Sequence, residues 1–274
     1  MAAPTVRSIE VADSPRAWAS AGFSVVDGAV ALGDVRLELT GEDAAGGHAG
    51  GGVVSWGLSG VGPGFWQLPA VRDAPAPWTI DGIPTHVVAE DRRTASHPNG
   101  VTGIDVIILR SPNPARTLEA LASIGLHSRA ENGPRTRKAR KTAQYFIRPE
   151  GATCTIELIG PAEGEGDGAA ELWGLTLVCE DIDATHAALP ESTKAPWDAV
   201  QKGRRMTVLQ GKPHGISVAC ALISPHVKDE TPQADRDERY AARTRQQLEQ
   251  LGKADRGGAA GQSDAKGSSS TPKL

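Results

Sequence analysis

The chain has 274 residues, 39% of them hydrophobic and 23% charged, and a formal net charge of −4. That is enough apolar material for one sizeable core or two modest ones, and the sign of the charge excludes a general attraction to nucleic acid or to anionic lipid. The three cysteines, Cys154, Cys179 and Cys220, stand far apart outside any zinc-type cluster, so they read as reduced, buried small hydrophobes. The opening residues carry no apolar leader, and no stretch reaches the roughly 18 uncharged apolar residues of a membrane span, so the expected location is cytoplasmic. Small molecules or proteins are the expected partners.

Short apolar runs bounded by Gly, Pro, Asp or Asn follow one another in chain order and predict strands. They are 6–11, 23–28, 35–39, 103–110, 144–148, 153–160, 172–180, 205–209 and 215–223. Helices are predicted over Pro15–Ala21 and over Pro114–Ile124, where Leu118, Leu121 and Ala122 form an apolar stripe behind a Pro-containing start. Each ends at a glycine, Gly22 and Gly125, suited to a left-handed cap. A third helix, carrying His186, is read between the runs 172–180 and 205–209.

Four short matches recur in the same order. Leu37–Gly41 returns as Ile156–Gly160, and Trp56-Gly57-Leu58 returns as Trp173-Gly174-Leu175. Ala21-Gly22-Phe23 matches Ile124-Gly125-Leu126, and Gly82-Ile83-Pro84 matches Gly215-Ile216-Ser217. The chain therefore reads as two related halves, 5–90 and 103–225, joined by a turn-rich linker over 91–102. A charged helix with a thin apolar stripe is predicted within 226–251, and 252–274 offers nothing to pack and is expected to be disordered.

From Ser96 to Pro225, and more weakly from Thr5 to Glu90, these segments resemble glyoxalase-like proteins of the vicinal-oxygen-chelate superfamily. The resemblance implies an α+β fold of repeated β-α-β-β-β modules, paired within each half into a mixed, curled sheet that forms a cleft. It also implies a small-molecule ligand, leaves a homodimer open, and brings the expectation of a divalent metal held by His and Glu. Carried over residue by residue, the family's opening-strand His falls on Val106, within Ile104-Asp105-Val106-Ile107, and its last-strand Glu falls on Glu157, with Glu38 as the weaker counterpart. The opening strands of the other modules carry Ile9-Glu10-Val11 and Leu175-Thr176-Leu177, again without His. The metal-ligand set is therefore incomplete, and no metal ligand is assigned. The superfamily's chemistry would be that of a lyase, isomerase or dioxygenase; a metal-free binding protein and a non-enzymatic interaction protein are the competing readings.

Alternation puts Cys154, Ile156 and Leu158 on one face and Thr155 and Glu157 on the other. Glu157 is accordingly the one catalytic candidate, as an isolated base or a binding carboxylate, against the plainer reading of a solvent-facing Glu. The same alternation sends Asp105 to the face opposite Val106, and nothing in the sequence calls for a bulge that would change this. Trp173 and Arg205 are candidate substrate-binding residues, an apolar wall and a fixed cation for a small organic anion, against a core Trp and a surface Arg. The seven histidines are scattered without metal-site spacing. The basic run Arg135–Lys141 reads as a solvated loop or edge strand, because no aromatic is interleaved to stack on bases, and the Gly-rich stretch 163–168 reads as a flexible loop.

Overall fold

Period-2 burial runs along several strands of this protein, Val35–Leu39 and Thr155–Pro161 among them. The computed structural model describes residues 3–41, 52–61, 65–66, 78–89, 95–128, 135–137 and 141–226, all within one unit, Met1–His226. The segments 235–251 and 252–274, read above as a charged helix and a disordered tail, lie outside the described residues.

The first half contains β1 (Thr5–Val11), α1 (Pro15–Ser20), β2 (Ala29–Leu32), β3 (Val35–Leu39), β4 (Val53–Ser59), β5 (Thr79–Ile80) and β6 (Ile83–Val87). They form a six-stranded sheet in the order β2-β3-β1-β4-β6-β5. The second half contains β7 (Val101–Arg110), α2 (Pro114–Ser123), β8 (Arg135–Arg137), β9 (Thr142–Ile147) and β10 (Thr155–Pro161). It continues with β11 (Glu171–Cys179), α3 (Ile182–Ala188), β12 (Trp197–Asp198), β13 (Arg205–Leu209) and β14 (Ala219–Ile223). These strands form an eight-stranded sheet in the order β12-β13-β14-β11-β7-β10-β9-β8. Strand, helix and three strands thus occur twice in succession. In each module the last strand returns parallel to the first, β10 along β7 and β14 along β11, and the two modules meet antiparallel at β7 and β11.

The strands that carry the internal sequence matches hold corresponding places. Glu38 lies on β3, parallel to β1, and Glu157 lies on β10, parallel to β7. Both Trp-Gly-Leu segments lie on strands antiparallel to the first strand of their half, β4 against β1 and β11 against β7. Among the described residues the six-stranded sheet has the same plan with fewer strands per module.

Helix ends follow from their cap residues. Ser14, Asn113 and Asp181 each accept a hydrogen bond from the backbone N–H three residues on, satisfying one of the free donors of the first turn. At the other end Gly22 and Gly125 have φ of +82° and +91°, and the paired bonds Gly22 N–H to Ala19 O and Phe23 N–H to Trp18 O close the turn. Gly125 and Leu126 repeat the pattern onto Ala122 and Leu121. Both ends are Schellman motifs, with the apolar pair Leu121 and Leu126 fully buried beneath the second.

Two local readings change. The run 23–28 is not a strand: Val26 makes a single bridge to Ala29, Asp27 and Gly28 turn with positive φ, and the strand is the following Ala29–Leu32. The Asp-Gly pair took the turn that a strand reading had placed at its end. The ladder between β7 and β11 also shifts register, from Val106 opposite Thr176 to Ile104 opposite Leu177, which leaves Asp105 as an extra residue. A bulge is therefore present where none was expected, and simple alternation does not apply to Asp105.

One apolar cluster runs through both halves, from Ile9, Trp18 and Trp56 to Ile107, Ile156 and Leu177. Polar contacts cross between the halves as well. Arg116 of α2 reaches the Asp81 carboxylate in the β5–β6 turn, with Nε 2.6 Å from Oδ1, and also donates to the carbonyls of Gly166 and Gly168. The 163–168 loop, expected to be flexible, is thus tied down against Pro112 and Arg116. In the segment read as a linker, Asn99 donates to the Ala21 carbonyl and His97 sits between the Ser24 N–H and the Ala31 carbonyl.

Candidate functional site

The eight-stranded sheet has unequal faces. Ile104, Ile107, Leu109, Ile156, Leu158, Leu175 and Leu177 are buried on the core face. Register places Val106, Ile108 and Arg110 of β7 beside Thr155, Glu157 and Ile159 of β10 on the opposite, less buried face. Phe146 and Gln144 of β9 lie opposite Glu157 and Ile159, and Thr176 of β11 lies opposite Val106. At the Arg110 end of this face is a cavity of about 590 Å³, lined among others by Arg110, Pro112, Gln144, Ile159, Pro161 and Trp173. Its size falls within the range of natural small-molecule sites.

The β7–β11 ladder supplies the geometry at that end. A second register shift, between Leu172 and Gly174 of β11, leaves Trp173 out of the ladder. Its indole, 36% exposed, lies under Arg110, whose guanidinium carbon is 3.7 Å from the ring centroid. Such stacking is a cation–π contact and fixes the plane of the guanidinium. Glu171 stands directly opposite Arg110 on the same face. Next along the sheet, Gln144 Nε2 donates to Glu157 Oε1 at 2.7 Å. Glu157 lies on the half-buried face that alternation assigned to it.

The residues singled out in the sequence are only partly brought together. Trp173 lines the cavity and Glu157 adjoins it through Gln144. Arg205 does not share this end. It lies on β13 alternating with Met206, and its Nη1 pairs at 2.6 Å with Asp183 of α3. The cation beside Trp173 is Arg110. A signal for it existed in the sequence, since Val106, Ile108 and Arg110 share one period-2 face, but the stacking depends on the extra residue in β11, which no pattern announced.

The far end of the same sheet holds a second polar group. Arg204 is 2% exposed; its Nη1 donates to Asp105 Oδ2 at 2.9 Å and its Nε to the Ser224 carbonyl at 2.7 Å. His226 Nε2 stands 3.2 Å from Asp105 Oδ1. Asp105 and Arg204 compensate each other, as a buried charge pair must. In the first half, the strand of Glu38 carries an Arg36–Glu38 pair at 2.6 Å, and Ser55 donates to Glu10 at 2.7 Å.

A divalent metal does not fit the residues around Glu157. The strand neighbours on this face include Val106 and Thr176, and among the described residues no group of three His, Cys, Asp or Glu side chains converges to hold an ion. One Glu oxygen already accepts from Gln144. The cysteines are free and buried, and burial pushes the thiols of Cys154 and Cys220 up to about 11 and about 12.

These paired modules, with first and last strands parallel and the modules joined antiparallel at their first strands, define the vicinal-oxygen-chelate fold. Comparison with solved structures shows the same fold. A mutant of 4-hydroxymandelate synthase from Streptomyces coelicolor superposes with a TM-score of 0.55 at 13% identity, over 85% of this chain and 96% of that one. A xylose isomerase-like TIM barrel/4-hydroxyphenylpyruvate dioxygenase fusion protein gives 0.55 at 12% identity, over 85% of this chain but only 51% of the fusion. Methylmalonyl-CoA epimerase from Mycobacterium tuberculosis, at 15% identity, covers 47% of this chain with a TM-score of 0.37. No family model matches the sequence, and no curated protein does. No described helix is long and apolar enough to cross a membrane.

Proposed function

We propose that this chain is a small-molecule-binding protein of vicinal-oxygen-chelate fold, whose ligand sits on the less buried face of the eight-stranded sheet and is held without a resident divalent metal. The observation that carries this reading is the cavity of about 590 Å³ between the end of β7 and the bulge of β11, apolar along Pro112, Ile159 and Pro161 and polar at Arg110 and Gln144. Concave sites with an apolar wall and a few convergent polar groups are where small ligands bind. Glu157 then acts as a binding carboxylate or an isolated base, oriented by Gln144, rather than as one member of a metal-ligand set. The corresponding places of the Glu38 and Glu157 strands support an internal duplication in which the second half has kept the site.

The test is fragment binding to the untagged full chain in the presence of EDTA, followed by backbone amide NMR. Hits are expected to shift the amides of Arg110, Gln144, Ile159 and Trp173. Hits that bind only after divalent metal is restored, or that cluster on another surface, would overturn the proposal.

A further inference from the structure

Resting on that reading, we infer that the occupant of the Arg110 cavity is a small organic acid bearing a single carboxylate, gripped by the Arg110 guanidinium while Trp173 holds that guanidinium flat. Among the described residues no protein oxygen accepts a hydrogen bond from Arg110, although it stands at the cavity wall. One face of its plane is covered by the indole, so the N–H edge is left as the interacting surface. That edge is a fixed fork of donors, which matches the two oxygens of a carboxylate and loses little side-chain entropy on binding because the stack has already oriented it. Pro112, Ile159, Pro161 and Ala169 leave room for an apolar body beside it.

Charge decides between kinds of anion. Among the described side chains the lining carries one cation, Arg110, and one carboxylate, Glu171, which stands directly opposite Arg110 across the strand pair. Glu157 lies one step further, beyond Gln144. A monoanion is neutralised by Arg110. A phosphate dianion brings a second negative charge toward Glu171.

The experiment is calorimetric titration of the untagged full chain with benzoate and hexanoate, with benzamide and hexanamide as neutral counterparts, and with phenyl phosphate. The acids are expected to bind at least about tenfold more tightly than the amides, as a charge-assisted pair should. Arg110→Gln should erase that difference, and Arg110→Lys should restore part of it, because it keeps the charge and loses the fork. Glu171→Gln should tighten binding of the acids by a few fold and of phenyl phosphate by more. Amides that bind as well as acids, an acid preference that survives Arg110→Gln, or phenyl phosphate binding more tightly than benzoate would each overturn the assignment while leaving a small-molecule site in place. If none of the probes binds, the small-molecule reading falls with it.

Discussion

Asp13, just after β1, accepts hydrogen bonds from Ser217, just before β14, although 204 residues separate them. The backbone N–H of Ser217 lies 3.0 Å from Asp13 Oδ1, the Ser217 hydroxyl donates to the same oxygen, and Trp18 Nε1 donates to Oδ2 at 3.0 Å. One buried carboxylate thus fixes the α1 indole and the entry to the last strand of the other half.

Asp13→Ala leaves the buried Trp18 Nε1 without its acceptor and frees the Ser217 donors, whose bonds are part-buried. We expect a loss of roughly 1–3 kcal/mol, the cost of one orphaned buried donor. Urea unfolding monitored by tryptophan fluorescence measures it; Ser217→Ala should cost less, because the backbone N–H bond survives. A loss within error for Asp13→Ala would show that the two halves are not joined there.

Gly160 makes a second structural prediction. A methyl group built on it would collide with the Ser111 carbonyl oxygen and the Pro114 ring, where the end of β10 passes the start of α2. Gly160→Ala should therefore cost about 1–3 kcal/mol by overpacking and widen the neighbouring cavity wall. Thermal unfolding and the affinity of any cavity ligand should change together; a stable variant with unchanged binding would contradict the packing.

His97 predicts an acid limit. Its Nδ1 accepts from the Ser24 N–H at 3.1 Å, so Nε2 carries the proton toward the Ala31 carbonyl at 2.8 Å. Burial lowers its pKa, with the Ala31 bond partly offsetting. The unfolded chain takes up a proton near pH 6.5 while the folded chain resists, so the contribution is complete above pH 6.5 and is lost as pH falls below it, at up to about 1.4 kcal/mol per pH unit. Urea midpoints between pH 7.5 and 5 should fall more steeply for the native chain than for His97→Gln; equal slopes would exclude His97 as the source.

The cysteines give a simple chemical check. Burial raises all three thiols, Cys154 to about 11 and Cys220 to about 12. A disulfide-exchange reagent at pH 8 should find almost no reactive thiol in the native chain and three after unfolding. Prompt reaction of the native chain would mean that these sites open readily.

Much of this architecture was legible where a local pattern dictates the outcome. Gly22 and Gly125 marked the helix ends because a left-handed cap suits glycine, and Cys154, Ile156 and Leu158 marked the core face of β10 because a strand allows only two faces. What escaped depended on register. Asp105 and Trp173 are both extra residues in the β7–β11 ladder, and an extra residue is created by the pairing of two strands rather than by either sequence alone. For that reason the sequence points to Arg205 as the cation for Trp173, whereas Arg205 pairs with Asp183 and Arg110, on the same face as Glu157, stacks on the indole.

We propose that this chain of vicinal-oxygen-chelate fold works without a resident divalent metal. Elemental analysis of native protein, purified without a histidine tag and without chelator, tests this most directly. Zinc, nickel, manganese and iron are all expected far below one ion per chain, unchanged by Glu157→Ala. One equivalent of any of these metals, lost in Glu157→Ala, would contradict it.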